Sequence, residues 1–216
     1  MFSYLFFWID SSSVTKGDQS CFPIAEIAWP SKEFSSSKSP YRSIRSSLLG
    51  TLAPETRDVV PSSPFFVYRF DFFNSNESII QESVRWFGDC LVKTVSEFNN
   101  NILNGQYGVG FVDSWFHIGE KYSIHEVHRH PNCSWCGIFY VDPGDINGGG
   151  STMFLSPINI NFKDISSNSM DGSIGVAPEA GKLILFPSYL QHYQSLYTGD
   201  QKRIVVGFNM KILDRV

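Results

Sequence analysis

Three of the chain's five histidines fall within six positions, His125-Glu126-Val127-His128-Arg129-His130. His128 and His130 are two apart, and in an extended segment residues i and i+2 project to the same side. Both imidazoles can therefore turn toward one metal ion. His192 lies far along the chain, and Arg203 follows it eleven residues later at the head of an apolar run. A close pair of ligands, a distant third and open remaining positions is an arrangement that non-haem Fe(II) uses to hold an oxidant and dioxygen. Arg203 opens Ile204-Val205-Val206-Gly207-Phe208-Asn209, and a cation at the start of a buried strand needs an anionic partner. A dicarboxylate cosubstrate would supply one, because a guanidinium can grip a carboxylate through two parallel hydrogen bonds.

Neighbouring side chains leave alternatives open. Glu126 is two before His128 and could serve as a carboxylate ligand in place of His130. His125, three before His128, is expected to face elsewhere and is the weaker candidate for that position; His117 reads as structural. Cys133 and Cys136 extend the histidine pair to His-x-His-x-x-Cys-x-x-Cys, which could close a structural zinc site in a non-enzymatic binding domain. That reading leaves His192 and Arg203 without a task. Cys136 also begins a strongly apolar run, as a small core residue does.

The elements that must position these residues follow from pattern. From 105 to Ile212 the chain is a series of short apolar runs: Tyr107–Phe116, Cys136–Val141, Ser151–Leu155, Lys182–Phe186 and Arg203–Asn209. Turn signals such as Asp142-Pro143-Gly144-Asp145 and Asn147-Gly148-Gly149-Gly150 separate them, which points to a mainly β protein with a jelly-roll barrel. Ile80, Val84, Phe87, Leu91, Val95 and Phe98 recur at three- and four-residue spacing, so a supporting helix is expected over about 76–99, capped by Ser75 or Asn76. The N-terminal part, 1–104, is expected to supply strands, a Ser-rich loop between Ser31 and about Pro64, and this helix. Residues 105–216 would form the core, the whole making one compact domain.

Composition narrows the function classes. A net charge of −4 with no basic face argues against nucleic acid. The opening Met1-Phe-Ser-Tyr-Leu-Phe-Phe-Trp-Ile9 is too short for a membrane span and lacks a basic start, so a buried strand and a cytoplasmic protein without membrane contact are expected. Four cysteines in 216 residues do not make a disulfide scaffold.

The segment Ser114 to Asn209 resembles the 2-oxoglutarate-Fe(II) oxygenases, in the prolyl-hydroxylase-like branch of the double-stranded β-helix dioxygenases. The resemblance is carried by Ser114-Trp115, His128-Arg129-His130-Pro131, Cys136-Gly137-Ile138-Phe139-Tyr140-Val141, Phe186-Pro187-Ser188 with His192, Arg203, and Phe208-Asn209. It implies that His128, His130 and His192 bind Fe(II), that Arg203 holds the distal carboxylate of 2-oxoglutarate, and that Tyr140 touches the same carboxylate. It further implies an enzyme that uses dioxygen to oxidise, in the first place hydroxylate, a C–H bond of a small molecule or peptide. Two departures stand out. Most of the superfamily has Asp or Glu where His130 stands, and Val205 replaces the serine that follows the arginine by two. A cupin-like three-histidine dioxygenase that does not consume 2-oxoglutarate is therefore the alternative enzyme reading. Whether the chain acts as a homodimer is left open by the sequence.

Overall fold

Along residues 203–210 every position is buried, yet alternate side chains go to different places. Ile204, Val206, Phe208 and Met210 join one apolar cluster, whereas Arg203, Val205 and Gly207 line a pocket on the opposite face. A strand with no solvent face has to lie between two layers, since its side chains alternate from one side to the other. The computed structural model, which describes residues 7–10, 13–16, 24–28, 65–68, 73, 78–98, 107–157 and 172–214, shows both layers.

The strands are β1 (Phe7–Asp10), β2 (Ser13–Lys16), β3 (Ala25–Ala28), β4 (Phe65–Tyr68), β5 (Tyr107–Gly119), β6 (His125–His128), β7 (Trp135–Asp142), β8 (Thr152–Leu155), β9 (Ser173–Val176), β10 (Lys182–Pro187), β11 (His192–Gln194) and β12 (Arg203–Asp214). Eight of them form a sheet in the order β2-β1-β3-β10-β7-β12-β5-β4, and four form a second, β6-β11-β8-β9. Neighbours are antiparallel except β1 with β3. This mainly β, two-sheet architecture is the jelly roll expected from the sequence. Strands from both sides of residue 104 share the larger sheet.

The single α-helix among the described residues, α1 (Ser78–Phe98), covers the outer face of that sheet. Ile80, Ser83, Phe87, Leu91 and Thr94 are buried on one side, while Glu82, Arg85, Asp89 and Lys93 are exposed on the other. This is the amphipathic stripe that three- and four-residue spacing predicts. Phe87 is the centre of the contact: its ring lies 4.8 Å from Phe208, 5.2 Å from Phe139 and 5.6 Å from Phe73. Thr94 satisfies its buried hydroxyl by donating to the Cys90 carbonyl at 2.8 Å. The expected cap at Ser75 or Asn76 and the Ser-rich segment lie outside the described residues. None of the described helices is long and apolar enough to cross a membrane.

Between the two sheets lies a second cluster, with Cys136, Tyr140, Ile184, Phe186 and Val205 from the larger sheet meeting Phe154 and Val176 of the smaller. The pocket opens beside it.

Candidate metal and cosubstrate site

β6 and β11 are neighbours in the smaller sheet, with His128 directly opposite His192. His130 follows in the turn after β6. The ring centroids of His128 lie 4.3 Å from His192 and 5.0 Å from His130, with 5.3 Å between His130 and His192. One nitrogen from each ring falls within 4.8 Å of the others, a grouping able to hold a single ion. The carbonyl of Glu126 accepts from His128 Nδ1 at 2.7 Å, and that of Leu190 from His192 Nδ1 at 3.1 Å. A carbonyl can only accept, so Nδ1 carries the proton in both rings and each Nε2 keeps its lone pair for a metal.

Burial, with the nearby His128, pulls His192 down to about 3 and His130 to about 4. Both rings are thus neutral near pH 7, as metal ligation requires. The indole of Trp115 stacks on His130, with centroids 5.4 Å apart and planes 22° from parallel. Gly207 makes room for that indole, because a Cβ there would come within 2.7 Å of it.

At the other end of the pocket Arg203 is only 3% exposed. Its partners are neutral. Nη2 donates to the Gly150 carbonyl at 3.0 Å, Nη1 donates to Gln194 Oε1, and Nε has no hydrogen-bond partner. The guanidinium carbon lies 5.8 Å from the centre of the Tyr140 ring. Among the described residues no carboxylate pairs with it. The anionic partner expected from the sequence is thus not supplied by the described residues, and a buried charge left that way is suited to receive an anion. The pocket between Arg203 and the histidines encloses about 520 Å³ of space, its open mouth included. Val205 and Ile138 also line it.

Residues 113–209 match a protein family described as "Putative 2OG-Fe(II) oxygenase". That stretch, which carries the three histidines and Arg203, is similar to the 2OG-Fe(II) oxygenases. Solved structures share the fold at low identity. A prolyl-4-hydroxylase of Pseudomonas putida is 13% identical, with a TM-score of 0.56 over 88% of this chain and 94% of its own. HygX of Streptomyces hygroscopicus, with nickel, 2-oxoglutarate and hygromycin B bound, is 16% identical, with a TM-score of 0.58 over 88% of this chain and 83% of its own. The prolyl hydroxylase of Trichoplax adhaerens, in complex with a hypoxia-inducible-factor peptide fragment, is 14% identical, with a TM-score of 0.56 over 88% and 84%. No curated protein matches the chain. The family match and the shared fold point the same way, toward the oxygenases that use Fe(II), 2-oxoglutarate and dioxygen.

The other sequence candidates fall as follows. Glu126 is exposed and contributes its carbonyl rather than its carboxylate. His125, expected to face elsewhere, instead lines the pocket, its ring 4.1 Å from His128 and 5.2 Å from His117. The cause is a register slip. His128 faces His192 but His125 faces Gln194, so three residues of β6 span two of β11. Such a bulge turns i and i+3 to one side. His125 nevertheless stands outside the convergent ligand group. Cys133 and Cys136 also stand outside it, with Sγ atoms 3.8 Å apart.

Tyr140 is fully buried behind Arg203, and its hydroxyl meets Thr152 Oγ1 at 2.5 Å. Thr152 lines the pocket, whereas the phenol lies one layer back. Thr152 and Gln194 were not singled out in the sequence. Gln194 did carry a signal, since it follows His192 by two and so shares its face. Thr152 carried none beyond lying in a strand, since its place opposite Gln194 depends on β8–β11 register.

Proposed function

We propose that His128, His130 and His192 hold Fe(II), that Arg203 binds the distal carboxylate of 2-oxoglutarate, and that the oxygenase hydroxylates a C–H bond of a small molecule or peptide. The observation that carries this reading is Arg203: a buried guanidinium with neutral partners and an orphaned Nε, lining one pocket with three convergent imidazoles. An anion with a second metal-binding end would satisfy both. When bound, the metal and its cosubstrate supply the oxidation, and decarboxylation to succinate accompanies it.

The chain's own residues have the remaining tasks. Leu190 and Glu126 carbonyls fix the tautomers of two ligands. Gln194 holds the guanidinium in place, and its Nε2 is itself tied to the Ser123 carbonyl at 3.3 Å. The Tyr140 hydroxyl meets Thr152 Oγ1; with the phenol as donor, the threonine O–H would be free to point at the carboxylate. In this way Thr152 would replace the hydroxyl that Val205 lacks, with Tyr140 acting through it. Phe186, 4.7 Å from His192, and Trp115 over His130 keep water from the ligand set. The mouth of the pocket admits the substrate. The bound peptide of one structural neighbour and the hygromycin B of another support either substrate size.

The test is anaerobic reconstitution with Fe(II) and titration with 2-oxoglutarate, followed by exposure to air and a succinate assay. A visible charge-transfer band on adding 2-oxoglutarate, then slow succinate formation abolished by chelator, is expected. Iron binding with neither band nor succinate would instead support a three-histidine dioxygenase that does not use 2-oxoglutarate.

A further inference from the structure

Cys133 and Cys136 have no part in the reaction as described, yet they lie against it. Cys136 is buried in β7 and lines the pocket; Cys133 is half-buried in the turn that follows His130. Their sulfurs are 3.8 Å apart. Cys133 Sγ also lies 3.7 Å from the carbonyl oxygen of His130. We propose that these two thiols form a reversible disulfide site, and that closing it displaces His130 and weakens the hold on Fe(II).

The direction of movement follows from what is fixed. A disulfide needs sulfurs about 2.05 Å apart, so the pair must close by about 1.7 Å. The Cys136 backbone cannot supply that movement, since β7 is paired on both sides, with Phe186 and Asn209 as its register partners, so whatever side-chain rotation does not cover falls to the Cys133 side. The chain after Cys133 is held as well. Ser188 Oγ donates to the Cys133 carbonyl at 2.7 Å, Ser134 N donates to Met210 O, and Ser188 N donates to Ser134 O, both at 3.0 Å. What can yield is the exposed stretch before it, Pro131 and Asn132, the latter with a φ of 65°. That stretch joins Cys133 directly to His130. A pull on Cys133 is therefore passed to the ligand outside the strands, while His128 and His192 stay in their paired register.

The oxidant is a small disulfide such as glutathione disulfide. The Cys133 sulfur attacks one of its sulfurs, giving a mixed disulfide and releasing one glutathione thiol. The Cys136 sulfur then displaces the second, so two protein thiols are oxidised and one disulfide is reduced to two thiols.

The effect on iron rests on the ligand assignment above, whereas disulfide formation does not, and the experiment separates them. The metal-loaded protein is equilibrated anaerobically in reduced/oxidised glutathione mixtures, quenched in acid, alkylated and mapped by peptide mass. Fe(II) affinity is measured by chelator competition at both ends of the series. The expected result is a Cys133–Cys136 bridge that appears and reverses with the glutathione ratio, and an Fe(II) Kd raised at least about tenfold in the oxidised form. Cys133→Ser should show no bridge and one Fe(II) affinity in both buffers. Thiols that stay alkylatable throughout, a glutathione adduct that never resolves, or pairing with Cys21 or Cys90 would overturn the site. A bridge with unchanged iron affinity would overturn its coupling to His130. Loss of iron binding in the reduced form as well would strike the ligand assignment and leave the bridge to be judged by mass alone.

Discussion

At the scale of single residues the proposed site divides into groups assigned to the metal and groups assigned to the cosubstrate, and the two can be broken separately. Arg203→Met keeps the length of the side chain and removes the charge. It should weaken 2-oxoglutarate on the order of 10- to 100-fold, since charge-assisted hydrogen bonds contribute roughly 1.5–3 kcal/mol. Fe(II) content should stay at one ion per chain. Equal loss of both, read by anaerobic titration and metal analysis, would point to a collapsed pocket instead. His192→Ala should do the reverse and abolish stoichiometric iron. Tyr140→Phe is subtler. If the phenol acts through Thr152, the variant should bind 2-oxoglutarate a few-fold more weakly with iron affinity unchanged, and Thr152→Val should reproduce the loss. Much of this division was legible in the chain. The histidine spacing, the distal histidine and the arginine at the head of an apolar run are local patterns, and the structure brings those residues around one pocket. Gln194 and Thr152 are different in kind. Each is an ordinary polar residue that gains a role only through the strand set beside it.

Elements position these groups through register and through space left by glycine. Neither is written in hydrophobic periodicity. The runs that form β7, β10 and the first part of β12 are visible because both of their faces are largely apolar. The slip between β6 and β11 was not, which is why His125 was expected to point away. A one-residue change of pairing reverses the facing of a side chain, and a three-residue spacing alone gives no hint of a bulge. Gly137 and Gly207 show the second device. A Cβ at Gly137 would lie 2.2 Å from the Phe208 ring, and Phe208 in turn stacks on Phe87 of α1. Gly137→Ala should therefore force Phe208 against the helix and cost about 1–3 kcal/mol, the usual price of overpacking. Gly207→Ala is expected to disturb Trp115 over His130, with a smaller loss of stability and a larger loss of iron affinity. Thermal melts and metal titration of the two variants distinguish these outcomes. A Gly137→Ala protein as stable as the parent would mean that Phe208 has room that the packing does not show.

For the molecule as a whole, concentrating neutral imidazoles between two sheets ties stability to pH. Burial lowers His117, His125, His130 and His192, with His125 and His192 at about 3 and His130 at about 4. In the unfolded chain a histidine titrates near 6.5. Below that value the unfolded state takes up protons that the folded state refuses, so the contribution of these groups is fully present above pH 6.5 and lost as pH falls toward 3–4. Each proton of difference changes stability by about 1.4 kcal/mol per pH unit. The metal-free protein should therefore show a melting temperature that drops steadily from pH 7 to pH 4. His192→Gln, with one fewer buried imidazole, should show a shallower fall. Metal should make the dependence steeper, because an ion that binds only unprotonated ligands in the folded state stabilises by mass action near neutrality and is released in acid. A redox-inert ion such as Zn(II) serves for this measurement, since it avoids oxidation during the scan. If the apo and metal-bound curves run flat and parallel from pH 7 to pH 4, the imidazoles are not held neutral together, and the packing that gathers them between the sheets is looser than the ring distances describe.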